Sequence, residues 1–308
     1  MENYRDLPLE LFEKAEVNLD EKEHIAKPSL TAFQDGWIRL KKNKAAVVSL
    51  FILILIFLFA VFGPIFSSYD YAKTDYHHTF QLPSREHIFG TDQFGRDQFA
   101  RIWYGTRISL LIAFAAACLD IFVGVTYGAV SALAGGKVDA VMQRIIEILV
   151  GIPSLIIIIL LMMVMPAGIG TIIIAMSITG WVNMARLVRA QILKLKSQEF
   201  VLAARILGTN SRKIILKHLI PNTMGVIVIN TMFTIPSAIF TEAFLSFIGI
   251  GLSEPRASLG VLINNGYQVL HNFPHLLIYP AIIIVLIMVC FSILGDGLRD
   301  ALDPRMRK

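Results

Sequence analysis

An all-α bundle that crosses a membrane six times is the fold class predicted here, and three observations predict it. The 308 residues are 55% hydrophobic and only 17% charged, with a mean hydropathy of +0.64, a composition that water-soluble domains of this size rarely have. Six apolar stretches reach about the 20 residues that a helix needs to cross a bilayer core of about 30 Å. Within them, runs such as Ile156 to Ile159 and Ile282 to Ile284 are apolar on every face, whereas membrane strands alternate apolar and polar residues.

The expected spans are 45–66, 108–133, 141–165, 168–187, 224–250 and 276–294. The first 44 residues are polar with mixed charge and lack the short apolar core of a secretory signal, so no cleaved leader is expected. Arg39, Lys41, Lys42 and Lys44 precede the first span, and Arg299, Arg305, Arg307 and Lys308 follow the last. Between spans four and five stand Arg186, Arg189, Lys194, Lys196, Arg205, Arg212, Lys213 and Lys217 against one acid, Glu199, while the loop between spans five and six has only Arg256. Because cytoplasmic loops carry the excess of Lys and Arg, both termini are predicted to be cytoplasmic. The chain then divides into a cytoplasmic segment 1–44, the first helix 45–66, an extracytoplasmic loop 67–107, a five-helix core 108–298 containing a cytoplasmic loop 188–223, and a cytoplasmic tail 299–308.

The same distribution accounts for the net charge of +5 through topology and excludes nucleic acid as a partner; membrane lipid is the expected surroundings. Cys118 and Cys290 fall inside spans and read as small buried side chains. His77 and His78 lie in the outer loop without further clustered ligands, so no metal site is predicted. Asp92, Arg96 and Asp97 read as a structural turn. No nucleophile and base stand together, and no phosphate loop of the form G-x-x-x-x-G-K-[ST] is present, so the chain is expected to be neither an enzyme nor an ATP binder.

The cytoplasmic segment EFVLAARILGTNSRKIILKHLIPN, residues 199–222, reads as helix, break, helix, break, with Gly208 and Pro221 as the breaks. Ala203 and Ala204 allow close backbone approach by another protein, and Ser211 to Ile220 has the mixed apolar and basic pattern of an interfacial helix.

This spacing, two alanines, three residues, Gly208, and twelve residues to Pro221, resembles the EAA motif of importer permeases of the ABC superfamily. The resemblance implies that Glu199 to Leu207 is the coupling helix, which docks in a cleft of an ATP-binding subunit. The motif's acidic position is Leu202 here, and Glu199, one turn earlier, is the candidate substitute. Three further strings, HIFGTDQFGRDQFARIWYGTRISL, GWVNMARLVRAQIL and LGDGLRDALDPR, resemble the peptide and nickel branch, in particular the C-type permease subunit of oligopeptide and dipeptide importers. The fold implied is a type I importer permease bundle. The implied partners are a second homologous permease, two ATP-binding subunits that hold ATP and Mg, an extracytoplasmic solute-binding protein, and a peptide solute, with nickel or another small solute as the alternative. This chain itself would bind no cofactor.

Three carboxylates, Asp120, Glu147 and Glu242, fall inside spans, where an ionised group needs a partner or a water-filled cavity. Glu147 follows Arg144 by one turn and is expected to pair with it. Asp120 reads equally as neutral or paired within its helix. That leaves Glu242, which together with Asn230, Thr234 and Ser237 on the polar face of span five is the candidate pathway lining; Pro236 is expected to distort that helix. An ion-coupled secondary transporter using Asp120 and Glu242 is the rival from another class, and uptake surviving ATP depletion would favour it.

Overall fold

The computed structural model describes residues 32–302, so most of the predicted N-terminal segment and the end of the predicted tail lie outside the described residues. The described chain holds eleven α-helices: α1 Ala32–Lys42, α2 Lys44–Phe66, α3 Gln98–Ala134, α4 Gly136–Gly151, α5 Ser154–Val164, α6 Ile169–Lys196, α7 Glu199–Ile206, α8 Ser211–Ile214, α9 Ile220–Phe247, α10 Leu259–Gln268 and α11 His275–Leu302. A π-helical turn, Ile215–Leu219, joins α8 to α9. Five helical segments are long and apolar enough to cross a membrane, or six if α4 and α5 together make one span.

The third expected span is not one straight helix. α4 and α5 meet at 80°, because Pro153 supplies no N–H and forces its predecessor out of the helical region; Ile152 is extended, with φ −102° and ψ 127°. The helix predicted to start at 108 begins instead at Gln98, capped by Asp97, whose carboxylate accepts from the Ala100 N–H at 2.8 Å. At 37 residues, α3 is about 55 Å long at about 1.5 Å per residue and outreaches the bilayer core. The predicted outer loop is accordingly shorter, and residues 98–107 belong to α3. Neither proline breaks the chain: Pro221 stands in the first turn of α9, directly after the π-helical turn, and α9 runs through Pro236. The widened turn at 215–219 just before Pro221 relieves the clash its ring would make in a regular helix.

α3 lies at the centre and makes its most extensive contact with α6. Glycines set the distance between them. A Cβ on Gly124 would lie 2.6 Å from the Met184 Cβ, and one on Gly128 would lie 2.4 Å from the carbonyl oxygen of Ala185. This Gly-x-x-x-Gly face lets two backbones meet where lipid offers no hydrophobic drive for association. Beyond it, Arg189 on α6 grips Asp139 on α4 with Nε and Nη2 at 2.7 and 2.6 Å, a two-pronged bond of the stronger kind.

α3 also repairs two helices broken by proline. Pro64 in α2 cannot donate to the carbonyl of Ala60, and Arg107 does so instead, Nε to oxygen at 2.9 Å. Pro280 in α11 leaves the carbonyl of Leu276 without its donor, and Gln98 Nε2 reaches it at 3.3 Å. In hydrocarbon such orphans have no water to fall back on. Ile56 and Ala60 of α2 are buried in the core, while Val48, Phe51, Phe57 and Ile65 are exposed on its outer side.

The outer loop is ordered by buried charge. Asp92 accepts from the N–H groups of Phe94 and Arg96 and from Arg96 Nε at 2.7 Å, and Arg96 Nη2 reaches Glu254 at 3.0 Å, tying the loop to the segment between α9 and α10. Partial burial pushes the Glu254 carboxyl up, but Arg96, with Arg101 behind it, outweighs this and holds it below the ordinary carboxylate range. A Cβ on Gly95 would lie 1.7 Å from the Asp75 carbonyl, and its φ is +71°, so the turn accepts only glycine. Asp92, Arg96 and Asp97 are thus structural, as is His87, whose Nδ1 lies 2.9 Å from Asp97.

If Arg107 serves chiefly as the missing donor of α2, Arg107→Met should destabilise the chain by about 1–3 kcal/mol. The loss should shrink by more than half in a Pro64→Ala background, where the helical donor is restored. Thermal unfolding of the four variants in detergent measures this coupling, and additive losses would contradict the assignment.

Candidate functional site

α7 is a two-turn helix closed by the turn predicted at Gly208. The Gly208 N–H donates to the Arg205 carbonyl at 2.9 Å and the Thr209 N–H to the Ala204 carbonyl at 3.0 Å, the paired bonds of a glycine-terminated helix. Gly208 has φ +76° and nothing within 4 Å of its missing Cβ, so backbone conformation, not crowding, demands glycine.

One side of α7 is anchored. Val201 and Ala204 are buried in an apolar cluster with Ala129 and Ala132 of α3, Val188 and Ile192 of α6, and Ile227 of α9. The other side is uncovered: Glu199 and Ala203 are exposed, Leu202 is 46% exposed, Ile206 85% and Leu207 83%. Of the two alanines expected to admit a partner, only Ala203 faces outward, and Ala204 instead sets the distance to the bundle. Together these large apolar side chains form an uncovered patch at the end of the bundle. Pro221 contributes to the following helix start and not to this surface.

On the membrane-embedded side, a cavity of about 670 Å³ opens between α3, the α4–α5 elbow, α6 and α9. Asn230, Thr234 and Ser237, the predicted lining, are on its wall. They form part of an internal polar ladder: the Thr234 hydroxyl donates to the Asn230 carbonyl at 3.0 Å, and Asn230 Nδ2 donates to the Thr234 hydroxyl at 3.4 Å.

Glu242, the fourth predicted lining residue, is not on that wall. It is 0% exposed and accepts from the hydroxyls of Ser109 and Ser246, each at 2.8 Å. Ser109 Oγ in turn accepts from the Leu259 N–H at 3.2 Å, and Ser258 caps α10. Glu242 is therefore a buried knot that fastens α10 to α3 and α9, each of its carboxyl oxygens accepting from a serine hydroxyl. The acid that does reach the cavity is Asp120, which the sequence left undecided. Its spacing with Gly124 and Gly128, four and eight residues on, was the available signal, since it puts Asp120 on the face turned toward α6.

Arg144 Nη1 pairs with Glu147 at 2.7 Å on an exposed face. Cys290 is buried, but Cys118 is exposed, because its side of α3 turns outward with Leu111 and Phe122; neither cysteine is in a disulfide. His78 lies 2.8 Å from Asp75 and, with the His77 N–H, holds that carboxyl below its ordinary range.

A family model described as "Binding-protein-dependent transport system inner membrane component" matches residues 124–308, and one described as "N-terminal TM domain of oligopeptide transport permease C" matches residues 31–83. The oligopeptide transport system permease protein OppC of Bacillus subtilis (strain 168) is 48% identical over 304 residues, covering 99% of this chain and 100% of that protein. The dipeptide transport system permease protein DppC of the same organism is 46% identical, covering 100% of this chain and 96% of that protein. Among solved structures, an inward-facing MetNI methionine ABC transporter aligns with a TM-score of 0.55 at 17% identity, over 65% of this chain and 94% of that one, a likeness of fold. The glycine-closed helix at one end of the bundle, the intramembrane cavity and this near-complete sequence correspondence agree, and the chain belongs to the family of inner membrane components of binding-protein-dependent transport systems.

Proposed function

We propose that this chain is the C-type permease subunit of an ABC importer that carries oligopeptides or dipeptides into the cytoplasm. In this reading a second homologous permease completes the pathway, two partner subunits bind and hydrolyse ATP with Mg, and an extracytoplasmic binding protein delivers the solute. The excess of Lys and Arg flanking α2, α6 and α11 supports cytoplasmic termini, and the solute class is carried over from the relatives named above.

The observation that carries the reading is the two-sided burial of α7. Its outward apolar side offers a partner Leu202, Ile206 and Leu207, while Val201 and Ala204 lock it to α3, α6 and α9, the same helices that wall the cavity. A nucleotide-driven movement of a subunit seated on α7 therefore pushes on the cavity walls through close-packed side chains with no flexible link between. Coupling of this kind requires two arrangements of the bundle that ATP binding stabilises unequally; one arrangement opens the cavity to the binding protein, the other to the cytoplasm. The chain supplies conformation and surface, and the chemistry of ATP stays on the partners.

Assembly of the four membrane and nucleotide subunits in sealed vesicles with the binding protein tests the proposal. Uptake of labelled oligopeptide should require both ATP and the binding protein; accumulation without ATP would contradict it. Within the same system Gly208→Val should lower uptake by at least tenfold while membrane insertion is unchanged, since a β-branched residue at φ +76° must unwind the turn. Retained uptake in this variant would remove α7 from the coupling path.

A further inference from the structure

We propose that Asp120 receives the ammonium group of the solute as it passes through the cavity, an inference that rests on the peptide-importer reading above. An aspartate at membrane depth is costly unless it is matched, and three other acids on the membrane helices are matched. Glu242 is held by Ser109 and Ser246, Asp139 by Arg189, and Glu147 by Arg144. Asp120 is 6% exposed, and its Oδ1 is buried with no hydrogen-bond partner. Among the described residues no cation lies within ion-pairing distance of it.

The position is also built. A Cβ on Gly180 would lie 2.3 Å from Asp120 Oδ2 and 2.6 Å from Oδ1, so the carboxylate lies flat against the backbone of α6 in a recess that only glycine leaves open. Asp120 and Gly180 both line the cavity, and among the described residues Asp120 is the only charged group on its wall. The other polar side chains there, among them Asn183, Asn230, Thr234 and Ser237, are neutral amides and hydroxyls.

A single unpaired carboxylate in a volume of about 670 Å³ selects for a cation with several donors, and a peptide carries one at its amino end. An ammonium bound there gains a charge-assisted bond in a low-dielectric setting. The neutral amides and hydroxyls across the cavity accept the rest of the peptide without fixing its sequence. One charged contact fixes an end and leaves side chains unread, as suits a carrier of varied peptides, and keeps the hold weak enough for release.

The test uses the assembled complex with its binding protein in vesicles and labelled trialanine as the probe, with Asp120→Asn and Asp120→Glu compared with wild type. Carbodiimide is also applied to the trialanine-loaded complex, to couple the peptide amine to a contacting carboxylate, and the adduct is located by mass spectrometry. The proposal expects at least tenfold lower uptake in Asp120→Asn, uptake within about threefold of wild type in Asp120→Glu, and an adduct on Asp120. Uptake by Asp120→Asn equal to wild type would overturn it. Loss of uptake in both variants with no adduct would also overturn it and assign the carboxylate to pairing with the second permease. If wild type responds to the binding protein by hydrolysing ATP yet imports no trialanine, the peptide reading itself fails, and this inference fails with it.

Discussion

At Gly124 and Gly128 the backbones of α3 and α6 approach so closely that one added methyl on either residue would collide with its neighbour. In a bilayer, where apolar side chains gain nothing by leaving lipid, contact of this kind is what holds helices together. Much of the architecture follows from that contact. It places Asp120 beside Gly180, and it aligns the inner ends of the two helices so that Ala129, Ala132, Val188 and Ile192 form the socket for α7. Arg189, one turn beyond the contact, closes on Asp139 and fixes the start of the α4–α5 elbow. The cavity wall and the exposed side of α7 are thus two ends of one packed unit.

The outer half of α3 has a different task. Its polar side chains finish what other helices leave open: Arg107 for Pro64, Gln98 for Pro280, and Ser109 for Glu242. The prolines shape α2 and α11 at a cost in backbone hydrogen bonds, and a long side chain from the central helix offsets each loss. Glu242 and the two orphaned carbonyls are thereby matched on the outer side of the scaffold, while on the cavity side Asp120 Oδ1 has no partner.

Much of this was legible in the residues. Apolar length located the spans, and the two alanines before Gly208 located α7, because each signal is local. The elbow at Pro153 was visible too, but the uninterrupted apolar run from 155 to 164 masked it. What stayed hidden depends on partners far away in sequence. Gln98 and the carbonyl it satisfies are 178 residues apart, and nothing near Glu242 announces that Ser109 and Ser246 enclose it. For the same reason Asp120 and Glu242 exchanged roles: both are lone acids in apolar helices, and only tertiary packing decides which one meets a cavity.

With the glycine contact intact, α3 and α6 move as one body when α7 is driven. Spin labels at Phe122 and Leu187, both exposed on these helices, would report the distance between them in the assembled complex with and without a non-hydrolysable ATP analogue. The account predicts an unchanged distance in the two states, while a label on α7 moves relative to the second permease. A shift of several ångströms between Phe122 and Leu187 would mean that the glycine contact itself opens during the cycle, and the rigid transmission described here would be wrong.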